Sequence, residues 1–148
     1  MPGRLHRIVY VSDAVRPFSA ADVAALGRRS AAANARRGVT GLLLYSGGHF
    51  VQLLEGNPLD VAELFDTVAF DLRHRDVHAL VSEPAAARLF PSWWMGALSL
   101  DAAGTELDRR RLRDVAAAAR RPDGRGAGAA AVALLEEFRR QLPAAAVA

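Results

Sequence analysis

The sequence predicts an α+β fold, in which a β-sheet carries helices on both of its faces. Three observations support this prediction: strand and helix patterns alternate in the order β-α-β-β-α-β, a further short strand follows, and two helical patterns come after about residue 101. The β-α-β-β-α-β order is that of a ferredoxin-like sandwich. Because that layout puts both early helices on one sheet face, we expect the C-terminal helices, or alternatively a dimer interface, to cover the other.

The first half of the chain has clear start and stop signals. Ser19 and Asp22 have the spacing of a capping-box variant at a helix start, and Gly38 suits the left-handed position after a helix end. Ser46-Gly47-Gly48 is typical of a hairpin turn between two strands. The predicted elements are a strand over Leu5–Ser12, a helix from Ser19 to about Arg37, and strands over Val39–Tyr45 and His49–Glu55.

The second half continues with Asn57-Pro58, an N-cap and first-turn proline that begin a second helix. The charged stretch 71–76 predicts an exit loop. The apolar positions of the second predicted helix are Val61, Leu64, Phe65, Val68 and Leu72. The later predicted elements are strands over His78–Ser82 and Trp93–Leu98 and helices over Thr105–Arg120 and Gly126–Leu142, with apolar stripes of Leu107, Val115, Leu135, Phe138 and Leu142.

Composition excludes several classes of protein. The chain has 148 residues and no cysteine, which excludes disulfides, thiolate catalysis and Cys-ligated zinc. All 19 basic residues are Arg, yet acids are interspersed and the net charge is only +3, so no nucleic-acid tail is expected. No apolar stretch reaches the roughly 18–20 residues of a membrane span, and no signal peptide is evident. We therefore expect a cytoplasmic protein with no membrane partner.

Gln52 is the most informative residue of the predicted strands. It lies in Phe50–Gly56, a run whose apolar residues occupy both alternating faces, as in a strand covered on both sides. Burying the two donors and two acceptor lone pairs of its amide without partners costs about 1–3 kcal/mol. Either neighbouring backbone or the polar edge of a ligand must therefore satisfy this amide.

Topology predicts polar neighbours for Gln52. We expect the first and third strands to be parallel neighbours at the sheet centre, which places Tyr10 beside Gln52. On the first helix Asn34 lies within about 20° of Val23 and so faces the sheet. Gly27 and Ser30 face the same way, and this small, polar helix face suits either close packing or a slot for a flat ligand.

Trp93 and Met95 are predicted to close the edge of this region. As alternate residues of the last predicted strand they share one sheet face. A core tyrosine bonded to backbone, and a tryptophan and a methionine in ordinary core, are common in proteins. Together with Gln52 and Asn34, however, they place several polar groups around one apolar slot, which is typical of a small-molecule site.

The chain resembles the BLUF domain family (sensors of blue light using FAD) over roughly residues 4–100. The separations between Tyr10, Asn34, Gln52 and Met95 are 24, 18 and 43 residues, as in the family. One such motif is weak, whereas five in order at family spacing are specific. The matching motifs are Val9–Ser12, Asn34–Gly41, Phe50–Gly56, Asp71–His74 and Trp93–Met95.

The resemblance implies a blue-light photoreceptor, not an enzyme, that binds a flavin without a covalent bond, usually FAD with FMN as an option. It implies that Tyr10 donates an electron and a proton and that Gln52 switches its hydrogen bonds to the flavin. It also implies that Asn34, Asp71, Arg73 and His74 bind the cofactor. Trp93 and Met95 would relay the change to the C-terminal helices.

The resemblance ends near residue 100, so we expect a flavin-binding domain over 1–100 and a helical extension over 101–148. Output would pass through a homo-oligomer or a separate protein partner, as in a short stand-alone BLUF protein.

Three other functions are alternatives on this fold. An RNA-binding module of the same fold needs an aromatic residue where Gln52 lies, so stacking on bases fails. A flavin redox enzyme lacks support from an acid–base pair or a GxGxxG fingerprint. A small-molecule-binding module without photochemistry remains a further alternative.

Overall fold

The fold is built around one five-stranded sheet with helices packed on both faces. The computed structural model describes residues 4–91 and 93–141. No helix in these ranges combines the length and the apolar character that crossing a membrane requires. The elements are β1 (Leu5–Ala14), α1 (Ala20–Arg37), β2 (Thr40–Ser46), β3 (His49–Gly56), α2 (Pro58–Ala69), β4 (His74–Ala85), β5 (Gly96–Ser99), α3 (Leu100–Ala103), α4 (Glu106–Ala119) and α5 (Ala127–Gln141).

The strand order is β4-β1-β3-β2-β5, which confirms the ferredoxin-like layout with an extra edge strand. β1 and β3 are neighbours as predicted, and Tyr10 pairs directly with Gln52. The predicted parallel direction is wrong, because β1 and β3 run antiparallel. The reason is the tight turn between β2 and β3, which forces an antiparallel pair, while β1 and β2 run parallel on either side of β3.

The helix signals in the sequence act as predicted. Ser19 accepts a hydrogen bond from the Asp22 backbone N–H at 3.1 Å, and the Asp22 carboxylate accepts one from the Ser19 N–H at 2.9 Å. Gly38 ends α1 with φ of 67°, a left-handed conformation that glycine adopts at little cost. Asn57 caps α2 through the Leu59 N–H at 2.9 Å. These caps fix where both helices begin and where α1 ends.

Two strand boundaries differ from the sequence prediction. β4 already begins at His74, so the predicted exit loop is shorter than 71–76. The left-handed Asp76 (φ 52°) lies next to an irregularity in the pairing of β1 with β4, which lets the charged stretch join the strand. β5 begins only at Gly96, so Trp93 and Met95 precede the strand.

Each sheet face has its own core. On the first face, α1 and α2 pack over Ile8, Tyr10 and Leu54. On the second face, α4 and α5 cover the apolar side chains of β1, β2 and β3, as predicted. An ion pair between Arg120 and Asp13 also ties the end of α4 to β1. The buried residues of the second core include Val9, Val11, Val51, Leu53, Leu112, Val115, Leu135 and Phe138.

Two predicted core positions are exposed. Leu72 is 90% exposed because α2 ends at Ala69, so the helical spacing no longer applies to it. Leu107 is 50% exposed because it lies in the first turn of α4, on the side away from the sheet. Leu142, the last predicted core residue, lies outside the described residues.

The cover on the second face can be tested with two leucines of the C-terminal helices. Leu135→Ala removes a fully buried side chain and should lower the free energy of unfolding by about 2–5 kcal/mol. Leu107→Ala is the control and should change it by no more than about 0.5 kcal/mol. Urea unfolding followed by circular dichroism measures both variants, and equal small losses would contradict a packed second core.

Candidate functional site

A cavity of about 250 Å³ lies between the first sheet face and helices α1 and α2. Its size is just below the roughly 300–1,000 Å³ of typical small-molecule sites. Its walls combine apolar side chains from both helices and the sheet with a larger number of polar side chains. The structure brings all six predicted binding residues to this cavity: Tyr10, Asn34, Gln52, Asp71, Arg73 and His74.

The small residues on α1 divide between two roles. A Cβ atom at Gly27 would lie 2.4 Å from the Cβ atom of Ala97, so this glycine permits close packing of α1 on β5. Ser30 and Asn34, one and two turns further along, line the cavity. Close packing and a slot are therefore both present on one helix face.

Tyr10 lies on the cavity wall as a fully buried side chain. Its ring contacts Phe65 edge-on, with centroids 5.5 Å apart. Its hydroxyl is buried and has no hydrogen-bond partner among the described residues. Burial, and secondarily the charge of Asp71, raise the pKa of Tyr10 far above its usual value, so the phenol stays neutral. An unpaired buried hydroxyl costs about 1–3 kcal/mol, which indicates that a polar ligand atom belongs beside it.

Gln52 lies beside Tyr10 and also lines the cavity. Its amide nitrogen donates to the sulfur of Met95 at 3.2 Å. A thioether sulfur is a weak acceptor, so this hydrogen bond is easily exchanged for a better one. The Gln52 amide is therefore positioned by a hydrogen bond that a stronger acceptor can replace.

Asn34 reaches the cavity from above the sheet, and its side chain is almost fully buried. Its amide nitrogen donates to the backbone carbonyl of Trp94 at 3.0 Å. Its amide oxygen and second N–H keep their capacity for other hydrogen bonds. Asn34 thus links α1 to the chain just before β5 while it still presents polar groups to the cavity.

Asp71, Arg73 and His74 come from the α2–β4 connection. The Arg73 Nε atom donates to both carboxylate oxygens of Asp71, at 3.0 and 3.1 Å. This pairing lowers the pKa of Asp71 to about 2. Burial lowers the pKa of His74, and its Nδ1 atom lies 3.1 Å from the Ser12 hydroxyl. Near neutral pH the group is an ion pair next to a neutral imidazole.

Trp93 and Met95 do not share a sheet face, so that prediction is wrong. Met95 belongs to the first core, beside Gln52, whereas Trp93 stacks on Phe90 in the second core at 4.8 Å. The two-residue alternation of a strand does not apply, because β5 begins after both of them. The stretch instead connects the two sides of the sheet.

Sequence reasoning missed several residues at or near the cavity. Thr67 and Arg29 line it. Each follows a cavity-lining leucine by three residues, Thr67 after Leu64 and Arg29 after Leu26, and this helical spacing is the signal that marks them. Glu55, three residues after Gln52, is fully buried, and a carboxyl group in an apolar strand is the signal that marks it.

Comparison with known proteins identifies relatives over most of the chain. The family model BLUF, described as sensors of blue-light using FAD, matches residues 5–96. The photoactivated adenylate cyclase subunit beta of Euglena gracilis is 39% identical over 90 residues, which are 61% of this chain and 10% of that protein. This chain thus spans about a tenth of the length of the curated relatives that it matches.

Two solved structures are similar in both fold and sequence. The dark-state structure of BlrB, a BLUF protein, has a TM-score of 0.70 and 34% identity and covers 96% of this chain and 100% of its own. Klebsiella pneumoniae BlrP1 with FMN and cyclic diGMP has a TM-score of 0.62 and 31% identity and covers 76% of this chain and 34% of its own. The similarity to BlrB extends into the C-terminal helices.

The partly buried His74 predicts a pH dependence of stability. Because its pKa in the folded protein lies below the value of about 6.5 in the unfolded chain, the unfolded state binds more protons. The free energy of unfolding should therefore fall as the pH is lowered from about 7.5 to 5. Asp71, with a folded pKa of about 2, contributes no slope in this window.

Urea unfolding at several pH values measures this slope. His74→Asn should reduce it, and the remaining slope comes in part from His49, whose pKa burial also lowers. His78→Asn, at an exposed position of the same strand, is the control and should change the slope less. A slope that is the same in His74→Asn as in the native protein would contradict the assignment.

Proposed function

Because the chain belongs to the BLUF family of blue-light sensors, we propose that it binds FAD in this cavity and signals blue light through Tyr10 and Gln52. The observation that carries the proposal is the buried Tyr10 hydroxyl, which has no partner among the described residues and lies beside an amide bonded only to a weak acceptor. A flavin ring edge offers the polar atoms that these two side chains require.

In this proposal the cavity residues hold the cofactor by hydrogen bonds and apolar contacts. Tyr10, Gln52 and Asn34 would hold the cofactor from the sheet and α1, and Asp71, Arg73 and His74 would offer it further polar contacts. When bound, a flavin supplies a blue-absorbing group that becomes a strong oxidant on excitation. Leucine and valine side chains of α1, α2 and β3 exclude water from the cavity walls.

Tyr10 is the electron and proton donor of the proposed mechanism. Its raised pKa keeps the proton on the hydroxyl, so loss of an electron must be followed by transfer of that proton to a neighbouring acceptor. Gln52 lies next to it and offers an amide oxygen for the transfer. The burial that makes the phenolate unfavourable thereby couples the two transfers.

Gln52 is the proposed switch. A primary amide presents a donor at one end and an acceptor at the other, so rotation or tautomerisation reverses its hydrogen-bond polarity. The weak bond to Met95 opposes this reversal only slightly. With a flavin bound, the reversed Gln52 amide would offer it a new donor, which would lower its excitation energy and give a red-shifted spectrum that reverts in the dark.

The segment from Trp93 to Met95 supports a relay to the C-terminal helices. Met95 contacts Gln52 on the cavity side, while Trp93 packs in the core that α4 and α5 cover. A change of the Gln52 amide therefore reaches the second face through three residues. We propose that residues 1–100 form the sensor unit and that 101–148 pass its signal to a second copy or to a protein partner.

The choice of FAD over FMN rests on the family. The cavity is large enough for a ring system, and the rest of either cofactor would extend beyond it. The FMN in the BlrP1 structure belongs to that protein. Mass spectrometry of the flavin released from protein purified from its source distinguishes the two.

We propose a sensor without enzymatic turnover of its own. The sheet face that RNA-binding modules of this fold use is covered by α4 and α5, which disfavours RNA binding. Flavin turnover with a reductant, or RNA binding, would favour the alternative functions.

The proposal predicts a reversible spectral change. The purified protein should be yellow, and blue light should shift its flavin absorption band to longer wavelength, with full recovery in the dark. Tyr10→Phe should bind flavin but lose the shift, because the electron and proton donor is absent. Gln52→Leu should likewise keep the flavin and lose the shift.

Tyr45→Phe is the matched control. Tyr45 is buried in the same core but does not line the cavity, and its hydroxyl accepts a hydrogen bond from the Phe18 N–H. This variant should keep the red shift. Protein without flavin, flavin that only bleaches, or an intact shift in Tyr10→Phe would refute the proposal.

A further inference from the structure

A second buried polar group lies on the same strand as Gln52. The Glu55 side chain is fully buried and accepts hydrogen bonds from the backbone N–H groups of Leu89 and Phe90, at 2.8 and 2.7 Å. It also accepts one from the Thr40 hydroxyl at 3.1 Å. Two backbone donors and a hydroxyl make Glu55 the anchor of the chain that follows β4.

Arg88 completes this anchor. One nitrogen of its guanidinium donates to the Thr40 hydroxyl at 2.8 Å and to the Glu55 backbone carbonyl at 3.0 Å. The other donates to the Gly38 carbonyl at 2.8 Å. The rigid fork of an arginine suits such multiple contacts. The ends of α1, β2 and β3 are thereby joined to one short stretch of chain.

This stretch is the one that reaches the cavity. We call residues 88–91 and 93–95 the anchored segment. Beyond Phe90 its contacts include the Gly41 N–H donating to the Trp93 carbonyl at 3.0 Å and the Asn34 amide donating to the Trp94 carbonyl at 3.0 Å. It ends with Met95, whose sulfur accepts from Gln52. Glu55 therefore holds the start of a segment whose end contacts the proposed switch.

We propose that Glu55 is a positioning residue for the light switch, because it fixes the anchored segment so that Met95 lies against the Gln52 amide. This inference rests on the proposed function and adds to it a residue outside the cavity. Glu55 touches neither the cavity nor Gln52, so it acts through Leu89 and Phe90. The strength of the hydrogen bonds that Glu55 accepts determines how readily the Met95 sulfur loses and re-forms its hydrogen bond with the Gln52 amide during dark recovery.

Glu55→Gln tests the anchor with little change of shape. The amide keeps one acceptor oxygen but replaces the other by an NH2 group, which cannot accept from a backbone N–H. One of the Leu89 and Phe90 N–H groups therefore loses its partner. Thr40→Val is a milder second variant, because it removes only the hydroxyl between Arg88 and Glu55.

The first measurement needs no light. Hydrogen exchange followed by NMR should show faster exchange of the Gly41 N–H in Glu55→Gln, since that group is bonded to the Trp93 carbonyl further along the segment. Asp108→Asn is the control: Asp108 is also buried and caps α4, but it contacts Thr105 and not the anchored segment. Unchanged exchange at Gly41 in both Glu55→Gln and Thr40→Val would overturn the inference.

The second measurement is the rate of dark recovery. Glu55→Gln should recover about threefold faster or more, the change expected when a barrier loses one hydrogen bond. Asp108→Asn should recover at the native rate, even if its melting temperature falls as much as that of Glu55→Gln. In a Met95→Ala background, which lacks the sulfur, Glu55→Gln should have almost no effect on the rate.

The outcomes separate this inference from the proposed function. A native protein that holds flavin without any red shift would refute the proposed function, and with it the role of Glu55 in switching. A normal red shift combined with native recovery in Glu55→Gln would refute the inference alone. An equally large effect of Glu55→Gln in the Met95→Ala background would also overturn it, since the action would then not pass through Met95.

Discussion

The antiparallel pairing of β1 with β3 sets Tyr10 directly beside Gln52, and the chemistry of the site depends on this register. A shift of one residue would turn every side chain of a strand to the other face. Tyr10 would then lie in the apolar core under α4 and α5, and Val9 or Val11 would face the cavity. Burial on both faces makes such a shift costly, so the phenol and the amide stay adjacent.

The two faces of the sheet differ in structure, since one borders a cavity and the other forms an apolar core. One face, with α1 and α2, leaves a cavity lined by polar side chains, of which the buried Tyr10 hydroxyl has no partner among the described residues. The other face is a continuous apolar core with the C-terminal helices. The residues just before β5 contact both, because Met95 lies on the cavity side and Trp93 on the other. A local change of hydrogen bonding thus has a short physical route across the sheet.

Much of this arrangement could be predicted from the sequence. The capping residues, the hairpin and the alternation of β1 and β3 are local signals, and they suffice to bring Tyr10, Asn34 and Gln52 together. The faces of Trp93 and Met95 could not be predicted, because the irregular chain before β5 is held by distant partners such as Asn34 and Glu55. The predicted parallel direction of β1 and β3 is wrong because β2 runs parallel to β1 and the hairpin then reverses the chain, so β3 runs antiparallel to both. The exposure of Leu72 depended on where α2 ends, which periodicity does not reveal.

In the proposed mechanism, light rearranges the hydrogen bonds of the Gln52 amide. The chain contains only two glutamines, Gln52 and Gln141, so a Gln141→Glu variant grown with isotope-labelled glutamine carries the label at Gln52 alone. Light-minus-dark infrared difference spectra should then contain side-chain amide bands that move with the label. A normal red shift of the flavin without any label-sensitive amide band would contradict the claim.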